Sequence, residues 1–166
     1  MTALIALACT AGSHGPATTE GSPQVAPGEV LPTLELHDLE GRPRSLAEFE
    51  GEVLLVDFWA TWCAPCALSL PIYDGWQQQY GDAGLQILAV SVDTANAPVA
   101  PFAEDHAPNL LVLRDPEGTA ATKLDLPGMP TAFLLDREGK LAGYHVGFAE
   151  GEQQQVLAQL LPLLED

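Results

Sequence analysis

The stretch Val53 to Trp59 is apolar at every position except Asp57, the pattern of a strand buried on both faces. A second apolar run, Leu85 to Val92, closes at Asp93 and predicts a neighbouring strand. Between them a helix is expected to start around Cys63-Ala64-Pro65-Cys66 and to reach about Tyr80. Pro65 suits a first helical turn, where its missing N–H costs nothing; Pro71 lies further in and is expected to kink the helix. Downstream, Pro98 to His106 reads as a helix, Leu110 to Leu113 as a short strand and Gly118 to Leu124 as another helix. Thr131 to Leu135 and Lys140 to Val146 predict two strands joined by the turn Asp136-Arg137-Glu138-Gly139. From Gly151 to Leu164, apolar residues at Val156, Leu157, Leu160, Leu161 and Leu164 mark an amphipathic helix whose apolar face is core. Strands alternating with helices, then a hairpin and a last helix, describe an α/β fold: a mixed central sheet flanked by helices on both faces.

The front of the chain has a different texture. Ala3 to Ala8 is a short apolar run ending at Cys9. It is too short to cross a bilayer, which takes about 20 apolar residues, and it lacks the basic flank of a secretory signal. Leu7-Ala8-Cys9 followed by a polar tract nevertheless looks like the end of a bacterial lipoprotein signal, in which the cysteine is acylated. One reading is that translation starts upstream of Met1 and Cys9 carries lipid; the other is an ordinary N-terminus with an incidental cysteine. Thr10 to Gly28, rich in Gly, Ser, Thr, Pro and Ala with the single acid Glu20, reads as a flexible tether. The expected division is residues 1–28 as signal-like segment and linker, and residues 29–166 as one folded domain.

Composition narrows the function classes. A chain of 166 residues with 47% hydrophobic content can bury a full core and is not a disordered tail. Six Lys and Arg face 23 Asp and Glu, a formal net charge of −17. Such a chain repels phosphate backbones and anionic lipid heads, which argues against nucleic-acid partners and a polybasic membrane patch. Three cysteines are too few for a disulfide scaffold, and two of them, Cys63 and Cys66, form a Cys-x-x-Cys pair.

That pair stands where a buried strand gives way to a helix, and open α/β sheets place chemistry at strand carboxyl ends. Free N–H groups and the helix dipole favour negative charge on Cys63, easing its ionisation and its attack on a disulfide. Cys66, one turn on and more buried, can resolve the mixed disulfide by attacking Cys63. Two other readings are a structural disulfide, which would close so short a loop that it constrains the unfolded chain little, and half of a zinc site, which lacks a second Cys-x-x-Cys or a His-x-x-x-His.

The segment Phe58-Trp59-Ala60-Thr61-Trp62-Cys63-Ala64-Pro65-Cys66 resembles the active-site motif of thioredoxin-fold proteins, in particular the envelope-facing TlpA/ResA-like branch. Leu31 to Gly41 is similar to that branch's N-terminal hairpin, and Thr94 to Pro127 to its central helix–strand insertion. Gly128-Met129-Pro130-Thr131 resembles the loop that holds a cis-proline beside the cysteines; Gly139 and His145-Val146-Gly147 fit the closing hairpin. The resemblance covers about residues 29 to 166. It implies a three-layer thioredoxin-like fold, Cys63 as nucleophile and Cys66 as resolving thiol, and no cofactor or metal. It further implies that Pro130 is cis and packs against the pair, that Met129 offers its backbone to an incoming peptide strand, and that Trp62, Ala64 and Pro65 line the same surface. The partners it implies are cysteine-containing protein substrates, such as apocytochrome or copper-site cysteines, and a membrane partner supplying electrons. The expected setting is the periplasmic side of the bacterial envelope, with a monomeric protein acting mostly as a reductant.

Resolution requires Cys66 to lose a proton, so a nearby carboxylate would serve as base. The branch commonly has Asn where this chain has Asp57, and often Glu three residues after the second cysteine, where this chain has Ser69. Asp57 instead matches the buried aspartate of ordinary thioredoxins, six residues before the first cysteine. It is expected beneath Cys66 with its pKa raised by desolvation; the alternative is a satisfied core acid with no part in catalysis. Trp59 is expected in the core, Asp93 as a turn acid, and His106 and His145 at surface or structural positions. A second functional class, copper delivery through the same thiols, would call for a third ligand that no histidine here matches. A peroxidase of this fold carries Pro-x-x-x-Thr-x-x-Cys, but Asp57 stands four residues ahead of Thr61.

Overall fold

The computed structural model describes residues 23–165, so Cys9 and the lipid attachment expected there lie outside the described residues. Seven strands form one sheet: β1 (Leu36–Asp38), β2 (Pro43–Arg44), β3 (Val53–Trp59), β4 (Leu85–Ser91), β5 (Leu111–Arg114), β6 (Thr131–Leu135) and β7 (Leu141–Val146). Their spatial order is β2-β1-β5-β4-β3-β6-β7. The central trio β3, β4 and β5 is parallel, whereas β6, β7 and the β1–β2 hairpin pair antiparallel. Four helices accompany the sheet: α1 (Ala64–Tyr80), α2 (Val99–His106), α3 (Thr119–Leu124) and α4 (Gln153–Glu165).

Strand β3 is buried at every position because it divides two cores. Val53, Leu55 and Trp59 face a layer built from Leu70, Tyr73 and Trp76 of α1, Val99 and Ala103 of α2, and Val156 and Leu160 of α4. Leu54, Val56 and Phe58 face the other side, where Ala120 and Leu124 of α3 and the segment around Leu31 and Leu34 close the core. Period-2 alternation in one strand therefore assigns the layers. The packed chain begins ahead of Glu29, the boundary expected from composition. Val25 is buried in the second core, and the Gln24 N–H donates to Leu124 O at 3.2 Å.

Two local features follow. Helix α1 carries Pro71 in its interior and reaches Tyr80, as its pattern suggests, with Leu70, Tyr73 and Trp76 buried around that point. A 3-10 turn at Leu46–Phe49, absent from the periodicity reading, is set by a capping box: the Glu48 carboxylate accepts the Ser45 N–H at 2.6 Å and the Ser45 hydroxyl faces the first turn. Its signal was a Ser-x-x-Glu pattern too short for a hydrophobic period to reveal.

Candidate active site at the strand carboxyl ends

The registers bring five loops to one end of the sheet. Trp59 at the end of β3 lies beside Ser91 at the end of β4, and Ser91 beside Arg114 at the end of β5. On the other side Phe58 pairs with Thr131 at the start of β6, which pairs with Val146 at the end of β7. The loops following β3, β4, β5 and β7, and the one preceding β6, therefore leave from the same end.

Cys63 caps α1 there and is joined to Cys66 by a disulfide, with the two Cα atoms 5.3 Å apart. The Cys66 N–H, in the first turn of the helix, donates to Cys63 O at 3.1 Å and also reaches Cys63 Sγ at 3.3 Å. Cys63 keeps a small opening to solvent, 6% of its surface, whereas Cys66 has none. Around Cys63, Ala64 and Pro65 are exposed and Trp62 is 68% exposed, an unusual state for so large an aromatic. Trp59 is the opposite case: fully buried and stacked on Phe102 at 5.3 Å.

The Met129–Pro130 bond is cis and Pro130 is buried. Its loop is tied at both sides, Thr131 Oγ1 donating to Gly128 O at 2.8 Å and the Gly147 N–H donating to Pro130 O at 2.7 Å. Gly128 makes a close approach: a Cβ there would stand 3.1 Å from Val146 Cγ1, which would have to shift slightly. Met129 packs against both cores, and Val146 beside the loop is 42% exposed.

Asp57 is fully buried, and neither carboxylate oxygen has a hydrogen-bond partner among the described residues. Its register neighbours are Ala89 on β4 and Ala132 on β6, which offer no polar atoms in their side chains. Alternation along β3 puts its side chain on the face of Leu55 and Trp59, the core that also holds Cys63, Cys66 and Tyr73. Burial pushes its pKa well above the ordinary carboxylate range. Tyr73 is pushed up as well, by burial first and then by the charges of Asp57 and Glu152.

Asp93, expected as a turn acid, has a larger part. It is buried two residues past β4 and accepts hydrogen bonds from the Thr61 N–H at 2.8 Å, Thr61 Oγ1 at 2.7 Å and Ser91 Oγ at 3.0 Å. It thereby clamps the loop that carries Trp62 and Cys63 to the neighbouring strand. Nothing in the local sequence pairs residues 61 and 93; the parallel register of β3 and β4 does. Ser69, at the position where the resembled branch often carries Glu, is buried and donates to Cys66 O at 3.2 Å. His106 stacks on Phe102 at 4.1 Å, and His145 contacts Gln159 at 3.2 Å. Among the described residues no group of three or more His, Cys, Asp or Glu is placed to hold a metal ion.

A vicinal dithiol in disulfide form, one sulfur at the surface and the other beneath it, can pass two electrons to or from another disulfide. The comparisons agree with that chemistry. The AhpC/TSA family matches residues 27–144. The thiol-disulfide oxidoreductase ResA of Geobacillus thermodenitrificans is 33% identical over 117 residues, covering 70% of this chain and 67% of that protein. ResA of Bacillus subtilis is 28% identical over 139 residues, covering 83% and 78%. Among solved structures, a Chlorobium tepidum protein described as thiol:disulfide interchange protein DsbE superposes with a TM-score of 0.80 at 33% identity, over 85% of this chain and 99% of that one. The exposed lipoprotein thioredoxin Etrx1 of Streptococcus pneumoniae superposes with a TM-score of 0.65 at 28% identity, over 79% and 99%. By this match and by its sheet, the chain belongs to the AhpC/TSA family of thioredoxin-like redox enzymes and is a thiol–disulfide oxidoreductase.

Proposed function

We propose that the protein reduces disulfides in cysteine-containing protein clients on the periplasmic side of the bacterial envelope through Cys63 and Cys66. The observation that carries this reading is the graded burial of the pair at the head of α1, Cys63 open and Cys66 closed; the Asp57 carboxylate, without a partner among the described residues, supports it from the strand face that borders the same core. In the reduced enzyme the Cys63 thiolate, favoured by the helix terminus and the Cys66 N–H, attacks a client disulfide. A mixed disulfide forms and one client thiolate leaves. Cys66 then gives its proton to the Asp57 carboxylate, attacks Cys63 Sγ and releases the second client thiolate, which takes a proton from water. The products are a reduced client, the Cys63–Cys66 disulfide and a protonated Asp57. The raised pKa of Asp57 in the disulfide state fits that ending. Regeneration reverses the order: two electrons from a membrane partner reopen the disulfide and Asp57 returns its proton to Cys66.

Trp62, Ala64, Pro65, Met129 and Pro130 form the client-facing surface in this reading, with the Met129 backbone pairing to an extended client strand. An envelope setting draws on the Leu7-Ala8-Cys9 pattern and on the lipoprotein among the solved relatives, so that Cys9 anchors a monomeric domain through a tether. No helix among the described residues is long and apolar enough to cross a membrane. Copper delivery through the same thiols would take a third ligand, and none stands beside the pair in the described residues.

The test is capture in whole cells. Cys66→Ser is expected to accumulate mixed disulfides with specific clients, and the double variant Cys63→Ser/Cys66→Ser to accumulate none. Equal capture by both overturns the assignment of Cys63. A measured potential more oxidising than about −150 mV would reverse the direction of electron flow.

A further inference from the structure

We infer that the protein selects clients whose cysteines are flanked by basic residues, because the face around Cys63 is an apolar patch inside an almost entirely acidic rim. This rests on the disulfide-exchange reading above and adds the substrate's charge to it. The net charge of −17 comes with few cations to offset it on any one face. The six cations of the chain are Arg42, Arg44, Arg114, Lys123, Arg137 and Lys140. Arg42 and Arg44 belong to the β1–β2 hairpin at the sheet edge and pair with Asp38, Glu40 and Glu48. Arg137 and Lys140 lie in the β6–β7 turn, at the end of the sheet opposite Cys63, and Arg137 donates to Gly51 O and Leu164 O. Lys123 is drawn to Thr33 O at 2.8 Å. Only Arg114 reaches the end that carries the cysteines, and its guanidinium donates to Thr94 O and Ala95 O.

The loops at that same end carry Asp93, Asp115, Glu117, Asp125, Glu150 and Glu152. Asp93 and Asp115 are buried and occupied with Thr61 and with the start of α3. Glu117, Asp125 and Glu150 are exposed. Asp125, two residues beyond Lys123, opens the loop that ends at Pro130, and Glu150 lies in the loop following Val146, so both belong to loops that meet on the cis-proline side. The centre of the face is apolar: Trp62 is 68% exposed and Val146 42%, with Met129 between the two cores beside them. An uncharged, aromatic centre with a charged rim is the layout of a protein-docking surface. The acidic excess of the rim over Arg114 decides the partner. A basic segment gains attraction and faster encounter, whereas an acidic one meets like charge as its sulfur approaches Cys63.

The experiment uses the reduced protein and two disulfide-bonded peptides of one sequence, with Lys or Glu flanking the cysteines. Rates are normalised to reduction of the same peptides by dithiothreitol, which removes the peptides' own difference in reactivity. At about 10 mM salt the Lys peptide is expected to be reduced with a kcat/KM roughly tenfold or more above the Glu peptide, narrowing to about twofold at 0.5 M salt as screening shortens the field. The variant Glu117→Gln/Asp125→Asn/Glu150→Gln keeps side-chain shape, and Asn tolerates the left-handed backbone at position 125, φ 51°. It is expected to lose most of the preference while retaining its rate on dithiothreitol. Equal normalised rates at low salt, or a preference unchanged by salt and by the triple variant, overturn the charge selection while leaving disulfide exchange standing. Failure to reduce either peptide overturns both readings.

Discussion

Two buried aspartates on neighbouring strands show what burial alone does not tell. Asp93, just past β4, accepts hydrogen bonds from three donors and holds the cysteine loop in place. Asp57, inside β3, is more deeply buried and has no hydrogen-bond partner among the described residues. A satisfied buried carboxylate is compatible with a purely structural role; an unsatisfied one costs stability and is a candidate for proton transfer. The contrast is local, since both side chains lie near the ends of parallel strands that share a register.

The largest effect is expected from the structural member. Asp93→Ala leaves the Thr61 N–H and hydroxyl without their acceptor and should cost about 3 kcal/mol in urea unfolding. Disulfide exchange should fall with it, because the loop bearing Trp62 and Cys63 is no longer clamped. A loss under about 1 kcal/mol would erase the distinction between the two acids.

Asp57→Asn should act in the other sense. Resolution of the mixed disulfide is expected to slow about a hundredfold, the lower range for removal of a general base, while attack by Cys63 keeps its rate. Stopped-flow separation of the two steps reads this directly, and equal slowing of both would defeat the proton-transfer role. Stability gives a second readout. A carboxyl whose folded pKa is raised binds more protons in the native state between its ordinary value of 3.8 and the raised one. Stability therefore declines as pH rises through that window and levels off above it. The Asn variant should lose this decline, so its urea midpoint stays flatter with pH and lies above the parent's on the alkaline side. Parallel curves would show that Asp57 is not the titrating group.

The smallest change is Ser69→Ala. The hydroxyl donates to Cys66 O at 3.2 Å inside the helix, a bond worth about 1 kcal/mol or less. The variant is expected to keep the resolution rate, which separates this position from Asp57; a slowing comparable to Asp57→Asn would move the proton path to α1.

Much of this site was legible in the chain. Strand β3 has the bounds its apolar run suggests, and the cysteine pair opens the following helix where Pro65 fits the first turn. Asp57 stood out as the one acid in a run of Val, Leu, Phe and Trp, and the structure finds it buried. The cis bond at Pro130 was expected from family resemblance, since composition alone reads Pro127, Gly128 and Pro130 as a turn. Three features were not legible. The clamp from Asp93 to Thr61 spans 32 positions. The packed start at Val25 lies inside a segment with no apolar period. The stacking of Trp59 on Phe102 joins β3 to a helix more than 40 residues away.

By itself the sequence determined the strand, the pair and the helix that follows, because alternation, capping and turn chemistry act over a few residues at a time. It also set the total charge. Only the tertiary structure decided which acid is satisfied and which is left without a partner, since that depends on the strand register placing Ala89 and Ala132 beside Asp57 and Thr61 within reach of Asp93. It decided, too, where the cations fall: sheet topology carries most of them to the edge and the far end, while the loops at the cysteine end carry six acids. Net charge is a sum over the chain, but a client meets one face.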